Sequence, residues 1–384
     1  MFYCDSCKQR VEKLKKKRSK SKPKKGNETA SAAAVAELEV PLAQTKFRDK
    51  RVCNKCFCDS VITRIRFTMQ KVFKDFPTTA PIPVVLEVDD TPRSLALYHI
   101  VHDSYPPETR RIRYTTSPPR TFDLIPVHVA VPGHAGCAHT AIPDVRESDF
   151  FREFPEAAEI LEFLKGRNEL TYSFVKKTLI KNALLFEAHK AKALAVLTGE
   201  TADDLSALVI SDTAMGRGSK VATDTCVMDT QTFAPIALMR PLREFYEEET
   251  KQYISIKFDT KEEKGKEEGE EKVEEEKVAD NRDKTEVICS DFLRDMQGPF
   301  GHTMFTILGS IDRLEVGGRK GQCTLCRTFI AEIPDCESEE SDLCCDFEVP
   351  LCRACGLMLK RLSDAEMAGR ILTFFGAMEK EFAK

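Results

Sequence analysis

A strand, a turn and a helix follow one another from Val84 to Val101, and the turn, Asp89-Asp90-Thr91-Pro92-Arg93-Ser94, contains no glycine. This order constrains the fold most, because an apolar strand running straight into a helix is the first half of a βαβ unit. It is also the order of a phosphate-binding loop. Such a loop uses glycines so that successive N–H groups can close on an anion at a helix N-terminus. Here Pro92 removes one donor, and Asp89 and Asp90 put negative charge where phosphate would sit. Each carboxylate–phosphate pair at contact distance costs about 4 kcal/mol at a surface-like dielectric. Without context the same residues make an ordinary βα turn capped by an aspartate.

The pattern then repeats. Strands Val84–Val88, Leu124–Val131, Ala193–Leu197 and Pro235–Met239 alternate with helices Ser94–Val101, Phe151–Lys165, Phe174–Lys192, Ala202–Ala214 and Leu242–Tyr253. Such alternation predicts an α/β fold with a parallel sheet covered on both faces. The chain has 384 residues, enough for one large core and smaller satellites. Its net charge of −4 hides segregation: residues 8–25 hold eleven Lys/Arg against Glu12, and residues 261–278 hold nine Glu against five Lys. We expect a disordered or partly helical basic insert over 8–36, within an N-terminal module spanning 1–66. The α/β domain then covers 67–256, an acidic linker 257–288, and a C-terminal module 289–384. The last part should hold an amphipathic helix over Gly356–Phe382, broken near Gly369 and Gly376. No stretch reaches the ~18 apolar residues of a membrane span, which leads us to expect a soluble intracellular protein.

Fifteen cysteines in a reducing compartment favour metal ligation over disulfides. Cys323-x2-Cys326 and Cys352-x2-Cys355 form two tight pairs, the spacing that brings four thiolates to one tetrahedral zinc. A redox dithiol or unligated thiols are the alternatives, and Cys336, Cys344 or Cys345 could replace a ligand. Cys4-x2-Cys7 and Cys53-x2-Cys56 repeat the arrangement around the basic insert, with Cys58 a spare; loop closure entropy grows slowly enough with length to allow it. Closed four-cysteine sites leave no open position for substrate, so both predicted zinc ions are structural. His134, Cys137 and His139 are read as incidental, as are Cys226 and Cys289.

Leu197-Thr198-Gly199-Glu200-Thr201-Ala202-Asp203-Asp204 follows a strand and opens a helix. Capping by Thr201 and Asp204 explains it locally. It also resembles the Gly-His-Asn-x-Asp-Asp element of the PP-loop ATP pyrophosphatases that modify tRNA: Gly199, Asp203 and Asp204 match, and Glu200 replaces the histidine. The turn Asp89–Ser94 stands where that family has Ser-Gly-Gly-x-Asp-Ser, with only Ser94 kept. Gly216-Arg217-Gly218 and Arg240-Pro241-Leu242-Arg243 fall where the tRNA-thiolating branch has similar elements. The Phe57–Arg66 and Phe305–Leu314 segments and the closing Leu351–Cys355 follow that branch's order.

That branch includes two related cytoplasmic proteins, one with an intact phosphate loop and one degenerate, and this chain is similar to the degenerate one. In the catalytic relative a Cys-x-x-Cys that helps hold an iron–sulfur cluster opens the helix beginning here near Phe174, whereas Leu170–Lys177 has no cysteine. The resemblance therefore implies no ATP and no iron–sulfur cluster in this chain. It implies a catalytically silent, cytoplasmic subunit for wobble-uridine thiolation. Its partners would be a catalytic PP-loop subunit, tRNA, and a ubiquitin-related sulfur carrier. Arg217, Arg240 and Arg243 are candidate tRNA or partner contacts, and Lys8–Lys25 could add phosphate contacts. Two alternatives stay open: an active ATP-dependent tRNA-modifying enzyme with Asp203 and Asp204 on magnesium, and a zinc-ribbon scaffold for nucleic acid.

Overall fold

The computed structural model describes residues 3–20, 41–48, 50–72, 81–89, 91–105, 121–133, 142–258, 284–314, 321–330, 349–362 and 364–382. At the N-terminal end come helix α1 (Asp5–Lys20), the ribbon β1 (Thr45–Phe47) and β2 (Lys50–Val52), and helix α2 (Asn54–Val72). The first half of the α/β domain is β3 (Ile82–Val88), α3 (Pro92–Ser104), β4 (Phe122–His128), β5 (Arg146–Glu147), α4 (Phe150–Glu153), α5 (Pro155–Leu164) and α6 (Glu169–Lys190). Its second half is β6 (Ala195–Leu197), α7 (Ala202–Ala214), α8 (Gly218–Thr225), β7 (Met228–Asp229), β8 (Ala237–Met239) and α9 (Glu247–Phe258). Helices α10 (Lys284–Gln297) and α11 (Thr303–Ile311), the ribbon β9 (Gly321–Gln322) and β10 (Phe329–Ile330), and helices α12 (Arg353–Lys360) and α13 (Ala365–Phe382) follow.

Six strands form one sheet in the order β5-β4-β3-β6-β8-β7, parallel except for the β7 edge. The central strands are apolar because both their faces are covered. Along β3, Val85 joins a core with Val127, Val196 and Leu238 under α5, α6 and α13. Its neighbours Val84 and Leu86 join the opposite core, with Ala195, Leu197 and Met239, under α2 and α3. Alternating side chains of one strand thus feed two cores. The cysteine modules divide in the same way: Cys4, Cys53 and Cys56 pack into the α3 core, and Cys323 and Cys355 into the α6 core. A third cluster joins α7 and α8 to α10 and α11 through Leu205, Val221, Leu293, Met304 and Leu308. No helix among the described residues is long and apolar enough to cross a membrane.

The elements differ from expectation where proline, capping or burial intervenes. The helix expected over Phe151–Lys165 is two helices, because Pro155 starts α5 and holds Phe154 outside helical geometry (φ −122°, ψ 73°). The C-terminal helix breaks between α12 and α13, where the Asp364 carboxylate accepts the Met367 N–H at 2.9 Å. Gly369 and Gly376 lie within α13, whose packed face outweighs their poor propensity. Leu242 and Phe245 are buried in turns before α9, which starts later than expected. The first part of the basic insert, up to Lys20, is helical; residues 21–40 lie outside the described set, as do Asp90, His134, Cys137, His139, Cys336, Cys344 and Cys345.

Candidate functional site

Three of the four cysteine pairs stand at helix starts. Cys4 and Cys7 flank the first turn of α1, Cys53 and Cys56 that of α2, and Cys352 and Cys355 that of α12; Cys323 and Cys326 occupy the turn between β9 and β10. The positive end of a helix dipole favours a thiolate. Within each cluster, Cys4–Cys7–Cys53–Cys56 and Cys323–Cys326–Cys352–Cys355, the sulfurs lie within 4.8 Å of one another. The Cys7–Cys56 and Cys326–Cys352 sulfurs are 3.4 and 3.6 Å apart. One ion with metal–sulfur bonds of ~2.3 Å in a tetrahedron would place its sulfurs about 3.8 Å apart, so both sets fit a single metal ion.

Backbone bonds lock the clusters. The Cys4 N–H donates to Pro41 O at 2.9 Å, and the Arg51 N–H to the Asp5 carboxylate at 2.9 Å, which ties α1 to the β1–β2 ribbon. In the C-terminal set the Thr324 N–H donates to Pro350 O at 2.9 Å, joining the two pair-bearing segments. Burial pushes the Cys4 thiol up, but hydrogen bonds from Cys7 and Cys53 outweigh it and hold it at about 7. Hydrogen bonds from Cys323, Cys352 and Cys355 hold Cys326 well below the usual thiol range, while Cys323 and Cys355 are raised by sharing their protons with it. In each set one thiol is thus lowered at the expense of neighbours, and a metal ion would take the place of the shared protons.

The other candidate site lies where the sheet changes winding direction. Helix α3 covers one face and α6 the other, so the carboxyl ends of β3 and β6 flank a topological switch point, where open α/β sheets bind ligands. Asp89 folds the first turn: its Oδ1 accepts from the Thr91 N–H at 3.0 Å and from the Thr91 hydroxyl at 2.5 Å. The Ser94 hydroxyl donates back to Asp89 O at 2.8 Å. Across the switch point the Asp204 carboxylate accepts from the Thr201 N–H at 2.9 Å and its hydroxyl at 2.7 Å, and forms an ion pair with Arg93. Burial would raise Asp204, yet the Arg93 guanidinium holds it below the usual carboxylate range. The Arg93 side chain is therefore pinned between the two turns, and the Asp203 carboxylate accepts the Glu247 N–H at 2.8 Å. The sequence pointed to Asp89 and Pro92; the Arg93–Asp204 pair was visible only as two opposite charges in the two motifs.

The three arginines expected as tRNA or partner contacts each have partners within the fold. Arg240 is 0% exposed and bonds Glu200 at 3.0 Å and Cys226 O at 3.1 Å. Arg243 is buried too, donating to Leu308 O at 3.2 Å and to Asp312 at 2.6 Å. Arg217 lies over the Phe174 ring at 4.3 Å and pairs with Asp212 at 3.4 Å. Sequence reasoning missed Lys220, which meets Asp224 at 2.7 Å and Asp212 at 3.2 Å; the i, i+4 spacing to Asp224 was its only local signal.

No family model matches the chain. Part of it is similar to cytoplasmic tRNA 2-thiolation protein 2 of Drosophila persimilis, 32% identical over 74 residues that make up 19% of this chain and 18% of that protein. The protein of the same name from Drosophila melanogaster is 25% identical over 188 residues, 45% of each chain. The chain thus spans less than half the length of these curated relatives. Among solved structures it is similar to U34-tRNA thiolase NcsA from Methanococcus maripaludis with its 4Fe–4S cluster, at a TM-score of 0.50 and 14% identity over 77% of this chain and 92% of that one. The architecture is therefore an α/β fold similar to that thiolase's, with a mostly parallel six-stranded sheet and a four-cysteine cluster near either end.

Proposed function

We propose that this chain is the non-catalytic subunit of a cytoplasmic heterodimer that places sulfur at C2 of the wobble uridine, giving 5-methoxycarbonylmethyl-2-thiouridine in tRNA Lys, Glu and Gln. The observation that carries this reading is Arg93 clamped between Asp89 and Asp204 at the switch point. A phosphate entering there would have to displace that ion pair, and Pro92 has no N–H to offer it. The similarity to tRNA 2-thiolation proteins and to a U34-tRNA thiolase supplies the reaction class. On this reading a catalytic PP-loop subunit contributes nucleotide, cluster and adenylation, and a thiocarboxylated ubiquitin-related modifier delivers sulfur. Each four-cysteine set holds a structural zinc: its sulfurs converge on one point, whereas a four-iron cluster takes its thiolates on separate irons. Exposed Lys8, Arg10 and Lys13 on α1 add salt-dependent contacts to tRNA phosphates.

The active-enzyme alternative loses ground because Asp203 and Asp204, its magnesium ligands, already bond Glu247 and Arg93. The deciding experiment measures 2-thiouridine in those tRNAs from cells lacking the protein, with and without rescue, alongside ATP titration of the purified chain. Sulfur should vanish while the 5-substituent survives, and no ATP heat should appear up to millimolar nucleotide. Unchanged thiolation, or micromolar ATP binding, would overturn the reading.

A further inference from the structure

In the C-terminal cluster Cys323 and Cys355 are buried and Cys326 and Cys352 half-buried, and the wall they meet is not purely apolar. Cys326, Cys352 and Cys355 share a small cleft with Phe174, Arg217 and Lys220 from the α/β domain. The Lys220 side chain is 12% exposed and lines the same cleft as Cys326. Its ammonium lies 5.3 Å from the Phe174 ring centre, with the Arg217 guanidinium at 4.3 Å from the same ring. Asp212 and Asp224 pair with these cations, and Lys181 joins Asp224 at 3.4 Å. Three cations stand against two carboxylates, which leaves the patch one positive charge in surplus.

A divalent ion bound by four thiolates carries a net charge of two minus. Burying such a dianion beside apolar walls is costly unless opposite charge is placed nearby. We propose that Lys220 and Arg217 form a cationic platform, built at the start of α8 in the α/β domain, that compensates the metal–tetrathiolate charge of the C-terminal module. The module's metal site is then completed electrostatically by the domain on which it docks, and metal binding and docking strengthen each other. The inference rests on metal ligation by these four cysteines and not on a role in thiolation, so failure of the thiolation reading would leave the measurement below untouched.

The test uses the full chain loaded with zinc at both clusters, following release to an excess of a chromogenic chelator. A Cys323→Ser variant identifies the phase that belongs to the C-terminal cluster; the N-terminal cluster serves as internal control. Lys220→Met should speed the C-terminal phase about tenfold, as loss of an outer-shell partner does, and leave the other phase unchanged. Lys220→Arg should stay within about twofold of the parent rate, because it keeps the charge. Asp224→Asn, which enlarges the positive surplus, should slow that phase. A merely packing role predicts that Lys220→Met and Asp224→Asn both accelerate release, and that result would overturn the proposal. So would parent rates in every variant, or zinc uptake that is the same with and without Cys323.

Discussion

At the scale of single residues, charge placement rather than loss of glycine alone distinguishes the switch point. Arg93 and Asp204 have side chains 21% and 14% exposed, so the pair is largely shielded from water. Arg93→Met should cost about 2 kcal/mol in urea unfolding, and a double-mutant cycle with Asp204→Asn should return a coupling of roughly 1–3 kcal/mol. Glu87 gives a pH signature. Burial first, then the Asp89 and Glu200 carboxylates, raise it from an ordinary 4.5 to about 8. The folded state then keeps a proton that the unfolded chain releases near 4.5, so this group's stabilisation is complete below that value and is lost as pH rises through 8. Glu87→Gln should flatten the decline of the urea midpoint between pH 5 and 9; an identical decline in the variant would refute this account. The cysteines of both clusters were legible in the sequence because the two-residue gap is itself the ligand geometry. The internal engagement of Arg217, Arg240 and Arg243 was not, since nothing local tells a surface arginine from one that meets Phe174, Glu200 or Leu308 tens of residues away.

At the scale of elements, local rules succeeded where they were consulted and failed where a longer-range contact overrode them. Helix α7 runs over Ala202–Ala214, as its capping residues predict, because Thr201 and Asp204 close the first turn without outside help. Pro155 divides α4 from α5 by an equally local rule, one the apolar periodicity of that stretch concealed. The continuity of α13 through two glycines comes instead from its buried face, where Ile371, Phe374, Phe375 and Met378 meet the α6 core. Arg243 connects the turn after β8 to the end of α11. Arg243→Met should therefore speed amide exchange across Thr303–Ile311 by at least about tenfold, the equivalent of 1.4 kcal/mol, and leave β3 and β4 protected. Equal loss of protection in β3 would assign Arg243 a global role instead.

At the scale of the whole molecule, the two cysteine modules buttress opposite faces of one sheet although they come from opposite ends of the chain. Each shares a core with a different set of helices: α2 and α3 with the N-terminal cluster, α5, α6 and α13 with the C-terminal one. Cys53→Ser should deprotect α2 and α3 in hydrogen exchange, and Cys323→Ser should deprotect α12 and α13. Neither variant should unfold the central strands, whose Val84, Val85 and Leu86 are fully buried. Exchange patterns that spread identically over both faces would show the two sites to be one cooperative unit.

The amino-acid sequence by itself determined the α/β alternation, the cysteine pairs and the glycine-free turn. These rest on short-range rules of periodicity, ligand spacing and backbone freedom, which act within a few residues. Tertiary structure alone decided which face each module covers, that Arg93 meets Asp204, and that Lys220 shares a cleft with Cys326. Those pairings join residues about a hundred positions apart: the sheet order sets β3 beside β6, and the packing of the C-terminal module brings Cys326 to α8.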